Sequence, residues 1–150
     1  MVKISTKINI HIAKIKDTEL EKKIPDIKPA IRLFCKIKFL GTEYAERAIV
    51  DTGAHISIIP FDLWKDLDVE ILAEHEMKGP IPDKTMPVNV GYIKASLLDE
   101  EGNISKEIKF LSYLTFTNKV PLILGIRDLL EKFDIHIFFS RNIACLEEFI

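Results

Sequence analysis

The 150-residue sequence contains little cysteine and no long apolar run. Its two cysteines, Cys35 and Cys145, are far apart, and its four histidines are scattered, so no pair has the close spacing of a zinc site. The uninterrupted apolar stretches are short, whereas a membrane-spanning helix needs about 20 such residues. We therefore expect no metal, no other cofactor and no membrane-spanning segment.

The sequence also lacks an excess of charge of either sign. It has 21 basic and 23 acidic residues, mixed along the chain, and a net charge of −2. Nucleic acids and anionic membrane surfaces attract proteins with a basic patch, which this balance does not provide. We therefore expect neither nucleic acid nor a membrane as a partner.

Two further features concern the cellular compartment. The residues after Met1 lead into an alternating pattern and not into the apolar core of a secretory signal. Cys35 falls among apolar residues of a predicted strand, where a buried, reduced thiol is the simpler interpretation. Both features favour a cytoplasmic location.

What the sequence does contain is a series of short alternating segments, which predicts a mostly β fold. The clearest alternation covers residues 31–39, and residues 44–50 return after a Gly41-Thr42 turn as its antiparallel partner. Apolar residues make up 47% of the chain, enough for one domain, which we expect to be a small closed β-barrel. Further strands are predicted at 7–13, 88–98, 104–113, 122–124 and 135–139, and short helices at 61–67 and 127–133.

The predicted organisation has three parts. Residues 1–30 supply an N-terminal strand and a charged connector. Residues 31–139 form the main domain, and residues 140–150 form a C-terminal tail in which the alternation is weak.

One carboxylate, Asp51, lies between two apolar stretches in the segment Ala48–Pro60. Burying an unpaired charge is costly, so an aspartate in such a place needs a reason. Thr52 offers a hydroxyl, and Gly53 permits a tight backbone path that leaves room beside the carboxylate. The pattern is typical of a carboxylate held rigidly in a cleft, although Asp-Thr-Gly can also form a simple turn between two strands.

This segment resembles the active-site loop of the retropepsin-like aspartic proteases. The family pattern is two apolar residues, then Asp, Thr or Ser, Gly and Ala, followed by Ser or Thr, which here is Ser57. A second segment, Ile123-Leu124-Gly125, resembles the family's apolar-apolar-Gly element, which precedes a short helix and packs across the catalytic loop. The resemblance covers roughly residues 31–139. Retroviral members differ in having an acidic residue where this chain has His55.

The resemblance implies an aspartic endopeptidase whose catalytic residues are Asp51, Thr52 and Gly53. The chain has one Asp-Thr-Gly and is too short for two lobes, so a homodimer would bring two copies of Asp51 together. One carboxylate would act as base toward water, and the other would protonate the scissile carbonyl. The threonine hydroxyls would interlock across the two-fold axis.

The same resemblance places a flap within residues 77–92, with its tip at 80–84. The prolines of this stretch favour a loop or an edge hairpin, because proline cannot donate to a sheet ladder. The implied partner is a polypeptide substrate bound as an extended strand. The residues expected to contact it are Ala54, His55, Gly79, Pro80, Ile81 and Ile123.

Two other functions are compatible with the same residues. One is a catalytically silent retropepsin-fold dimer that serves as a binding or assembly module, because Asp-Thr-Gly is necessary for cleavage and not sufficient. The other is phosphotransfer at Asp51, which would need a nearby metal-binding carboxylate or a glycine-rich phosphate loop. Neither is present around Asp51, and the next acidic residue is Asp62.

Overall fold

The computed structural model of the chain describes residues 5–79 and 83–149. The predicted mostly β fold with short helices is confirmed. In the described part of the chain, no helix has the length and apolar character needed to cross a membrane. The strands are β1 (Ser5–Asn9), β2 (His11–Ile15), β3 (Ala30–Phe39), β4 (Glu46–Val50), β5 (Ser57–Ile59), β6 (Glu70–Lys78), β7 (Thr85–Leu98), β8 (Ile108–Thr115), β9 (Ile123–Leu124), β10 (Asp134–Phe138) and β11 (Ile143–Phe149). The helices are α1 (Thr18–Lys23) and α2 (Phe61–Trp64), and 3₁₀ turns cover Leu130–Lys132 and Phe139–Arg141.

Eight strands form the larger sheet, in the order β2-β3-β4-β9-β5-β8-β7-β6. The sheet curls back on itself, because β3 pairs with β7 as well as with β4. The sheet has few pairs at β9. This strand has two residues, and it pairs with β5 only through Ile58 and Ile123. For this reason the sheet is not a clearly closed barrel. The structure supports a mostly β domain with a curled sheet, and it does not show the predicted closure.

Strand β3 shows how the sequence pattern produces this sheet. Cys35, Ile37 and Phe39 are buried, while Lys36 and Lys38 are exposed, as the alternation predicts. The buried face of β3 packs into one hydrophobic cluster with residues of β4, β7, β8 and β9. Burial of these apolar side chains is the main favourable contribution to folding.

The smaller sheet has three strands, in the order β1-β11-β10. Ile8 of β1 and Leu146 of β11 are fully buried in the same cluster as the residues of the larger sheet, so the described chain is a single domain. The strand predicted at residues 7–13 is split into β1 and β2, which belong to different sheets. Ile10 lies at the break, where its N–H donates to the carbonyl of Ala144 at 3.0 Å.

The prediction of a helix at residues 127–133 is wrong for residues 127–129. Asp128 has a left-handed backbone, with φ of 63°, which an α-helix does not allow. Its carboxylate accepts a hydrogen bond from the Leu111 N–H at 3.0 Å, and this tertiary contact outweighs local helix propensity. Only the 3₁₀ turn Leu130–Lys132 remains. Helix α2 also ends earlier than predicted, at Trp64.

Asp99 connects the loop after β7 to the end of β1. Its carboxylate accepts hydrogen bonds from the N–H groups of Asn9, Glu101 and Asn103 and from the Asn103 side-chain amide, at 2.8–3.0 Å. Burial of the carboxyl, which is 8% exposed, acts to raise its pKa, but these four donors outweigh burial and hold the pKa below the usual range.

We expect Asp99→Asn to destabilise the protein near neutral pH by about 1–3 kcal/mol, because the amide cannot accept all four hydrogen bonds. A lowered pKa means that ionised Asp99 stabilises the fold above its unfolded pKa of about 4, and that this contribution is lost as the pH falls through the folded value. The difference between wild type and variant should therefore shrink in acid. Urea unfolding near neutral pH and below about pH 4 measures both effects. An equal difference at both pH values would contradict the role of ionised Asp99, and Asp26→Asn, an exposed change, is the control.

Candidate active site

Asp51 lies directly after β4, in the loop that leads to β5. Strand β9 runs between these two strands, parallel to β4 and antiparallel to β5. The pairing continues past β4, because the Asp51 N–H donates to the Leu124 carbonyl at 3.1 Å. The start of the loop is therefore fixed by its pairing with β9, a central strand of the larger sheet.

Local hydrogen bonds hold the carboxylate of Asp51. Its Oδ1 accepts from the Gly53 N–H at 2.9 Å, and its backbone carbonyl accepts from the Ala54 N–H at 3.1 Å. A Cβ on residue 53 would lie 3.2 Å from this Oδ1, so glycine allows the loop to close tightly around the carboxylate. Asp51 is half-buried, and within residues 5–79 and 83–149 it has no ion-pair partner.

The loop is locked to the segment that follows β9. The N–H of Ile126 donates to the Ala54 carbonyl, and that of Arg127 donates to the His55 carbonyl, both at 2.9 Å. In addition, the Gly125 N–H donates to the buried hydroxyl of Ser57 at 2.9 Å. Together with the bond from the Asp51 N–H to the Leu124 carbonyl, these contacts hold the second motif and the residues after it against the Asp51 loop.

Gly125 passes very close to the main chain of the Asp51 loop. A Cβ at this position would lie 2.7 Å from the carbonyl carbon of Ile56 and 2.9 Å from the Ala54 oxygen. Both contacts are with main-chain atoms, which cannot rotate away as the end of a side chain can. Only glycine fits without moving the backbone of the Asp51 loop.

A cavity of about 500 Å³ opens beside Asp51 and Thr52. Apart from Asp51, Thr52 and Arg32, its wall is apolar. Such a wall can accept an apolar side chain, and Asp51 is the acidic residue that lines it. The other lining residues are Ile31, Leu33, Ile49, Val50, Pro121, Ile123 and Phe139.

The structure brings some of the predicted site residues together and separates others. Asp51, Thr52 and Ile123 line one cavity, and Gly53 contacts the Asp51 carboxylate. Ala54 and His55 lie on the same loop but do not line this cavity, and the His55 side chain is exposed. Of the predicted flap contacts, Gly79 is exposed at the end of β6, away from the cavity wall. Pro80 and Ile81 lie outside the described residues.

The described parts of the predicted flap, residues 77–79 and 83–92, lie in or next to β6 and β7, which pair as long antiparallel strands. β6 is the terminal strand of the larger sheet, and nearly all of its residues are exposed. A bulge between Ile71 and Ala73 shifts its register, and His75 stacks on Tyr113 with ring centroids 5.9 Å apart. The hairpin is anchored at its base and presents an open edge to solvent.

Three residues that line the cavity, Arg32, Pro121 and Phe139, were not among the predicted site residues. They come from β3, from the segment before β9 and from the 3₁₀ turn after β10, and only the tertiary fold brings them together. Pro121 lies two residues before Ile123 of the second motif, so its place near the site could have been predicted from that motif. For Phe139, no local sequence signal indicates the cavity.

The cysteines supply no alternative nucleophile at this site. Cys35 is buried in β3, and burial, with a smaller effect from the Asp99 carboxylate, raises the pKa of its thiol to about 12. A thiol with this pKa is almost entirely protonated at neutral pH and is a poor nucleophile. Cys145 lies in β11, in the other sheet.

Comparisons with known proteins give no relative of this chain: no protein-family model, no curated protein and no solved structure matches it. The retropepsin-like assignment therefore remains a prediction from the two motifs.

We expect Gly125→Ala to destabilise the protein by about 3 kcal/mol or more, at or above the upper end of the usual cost of overpacking. The added methyl meets main-chain atoms of residues 54–57, so relief requires a shift of the Asp51 loop. Denaturant unfolding measures the loss. Gly79→Ala is the matched control, because its methyl would meet no atom within 4 Å. Equal stability of the two variants would contradict the close packing at Gly125.

Proposed function

We propose that this chain is one protomer of a homodimeric, retropepsin-like aspartic endopeptidase that uses Asp51 from each copy. The observation that carries the proposal is the position of Asp51, a carboxylate held by the Gly53 N–H at the wall of a largely apolar cavity. It forms no ion pair with any described residue, so no basic side chain neutralises the carboxylate.

Peptide hydrolysis by the aspartic-protease route needs two such groups. One carboxylate removes a proton from the water that attacks the scissile carbonyl carbon, while the other donates a proton to the carbonyl oxygen. Two carboxylates that are one water apart share a single proton, because both cannot easily be ionised at once. This shared proton provides the base and the acid in the same pair.

A second copy of the chain is the simplest source of the second carboxylate. A two-fold axis next to the Asp51 loop would place identical groups opposite each other. Two apolar side chains in the cavity wall, Ile31 and Phe139, are 53% and 57% exposed in the single chain. A second protomer that covered them would remove apolar surface from water and stabilise the dimer.

The substrate would be an extended polypeptide. The open edge of β6 can pair with an extended strand through main-chain hydrogen bonds. Ile49, Pro121 and Ile123 in the cavity wall favour an apolar substrate side chain next to the cleaved bond.

We expect wild type to cleave a diverse unstructured peptide library between mildly acidic and neutral pH, and Asp51→Asn to lose about 10²- to 10⁴-fold or more in kcat/KM. The amide keeps the shape of the side chain but can neither accept nor donate the catalytic proton. Mass spectrometry of the products gives the cleavage sites. The control is Asp66→Asn, an exposed aspartate in the turn after α2.

The outcome of this experiment separates the alternatives. Cleavage by wild type and by Asp66→Asn, but not by Asp51→Asn, supports the endopeptidase. Equal cleavage by all three proteins would point to a contaminating protease and contradict the role of Asp51. If none of them cleaves while all remain folded and dimeric, a retropepsin-fold binding or assembly module is the better interpretation.

We expect Thr52→Ala to weaken dimerisation by about 30-fold. The exposed Thr52 hydroxyl would form hydrogen bonds across the two-fold axis, and loss of about 1 kcal/mol from each protomer corresponds to this change in the dissociation constant. Sedimentation velocity over a range of micromolar concentrations measures it. Thr18→Ala, at the exposed start of α1, is the matched control. Unchanged sedimentation of Thr52→Ala would count against an interface at this loop.

A further inference from the structure

The smaller sheet carries a polar cluster on its outer face. In β10, Ile135 and Ile137 pack against the core, so Asp134 and His136 project to the opposite face. In β11, the neighbours of Glu147 are buried, so Glu147 also projects outward. It lies directly across from Asp134 in the antiparallel register.

These three side chains converge. One potential ligand atom from each of Asp134, His136 and Glu147 lies within 4.8 Å of the others, and His136 Nε2 is 3.3 Å from Glu147 Oε1. Two ligands bonded to Zn²⁺ at about 2.0–2.1 Å with tetrahedral angles are about 3.3 Å apart. The His136–Glu147 pair already has this separation, and a carboxylate oxygen of Asp134 lies within 4.8 Å of both ligand atoms.

Other contacts orient Glu147 toward the cluster. Its Oε2 accepts a hydrogen bond from the Ser5 hydroxyl at 3.0 Å, and Lys7 Nζ lies 4.0 Å from the same oxygen. The other oxygen, Oε1, is then left for His136. The side chain of Glu147 is only 14% exposed, so its orientation is fixed by packing as well. Outer partners of this kind are typical of carboxylates that bind metals.

We propose that Asp134, His136 and Glu147 bind a divalent first-row transition cation, for which Zn²⁺ is the probe. One imidazole nitrogen and two carboxylate oxygens suit Zn²⁺, whereas Mg²⁺ and Ca²⁺ prefer oxygen ligands alone. Three protein ligands leave a fourth position for water. The site is in the smaller sheet and does not depend on the function proposed for Asp51.

The bound ion would join β10 to β11. Because the three ligands come together only in the folded chain, a cation at about 100 times its dissociation constant would shift the folding equilibrium about 100-fold toward the native state. No sequence motif indicates this cluster, since His136 and Glu147 are 11 residues apart and meet only through strand pairing.

Titration of the full-length protein with Zn²⁺ against a chromophoric chelator tests the proposal. We expect one site per chain in wild type, with binding at least about tenfold weaker in His136→Ala and in Asp134→Asn. His11→Ala is the matched control, because His11 is exposed on β2 in the other sheet. We also expect Zn²⁺ to raise the Tm of wild type and of His11→Ala, but not of His136→Ala.

The two cluster variants protect the test against misfolding. Asp134→Asn keeps the size of the side chain and changes only its charge, and far-UV circular dichroism without metal shows whether either variant has lost its sheets. Equal Zn²⁺ affinity in wild type and in both cluster variants would overturn the proposal. Equal binding of Mg²⁺ and Zn²⁺ would overturn it too, because that result indicates simple attraction to acidic groups.

Discussion

The close approach of Gly125 to the main chain of residues 54–57 determines the arrangement of the rest of the larger sheet. Strand β9 can lie between β4 and β5 only if the chain that follows it passes under the Asp51 loop without a side chain. The hydroxyl of Ser57 then satisfies the buried Gly125 N–H, so the crossing leaves no unpaired donor. The Asp51 carboxylate is thus carried by a loop whose main chain packs closely against Gly125 and is hydrogen-bonded to it through Ser57.

Under the proposed function, one chain would form only half of the site. The loop presents a single carboxylate at the edge of a cavity, with exposed apolar residues Ile31 and Phe139 in the same wall. Dimerisation would both cover the cavity and supply the second carboxylate. Assembly and catalysis would then be coupled, because a dissociated protomer has neither the pair of carboxylates nor a covered cavity.

The sequence predicted best where structure is local. The alternation of β3 and its turn into β4 were clear because every second residue enters the core, and the two motifs were identified because each resembles a family pattern of neighbouring residues. Predictions from the sequence were wrong or missing where contacts between distant residues determine the local structure. Asp128 leaves the helix to bind the Leu111 N–H, and Phe139 reaches the cavity only through the fold. β11, weakly patterned in sequence, lies between two strands that supply its partners.

The place of β11 has a consequence for how the chain folds. β10 and β11 are joined by a short turn and can pair early, whereas β1 must find β11 from the far end of the chain: Ser5 and Glu147, which share a hydrogen bond, are 142 residues apart. Contacts of this range offset the entropy of closing a very long loop only once most of the intervening chain is ordered. Docking of β1 is therefore a late event, and a topology that relies on it folds slowly compared with one built from neighbouring hairpins.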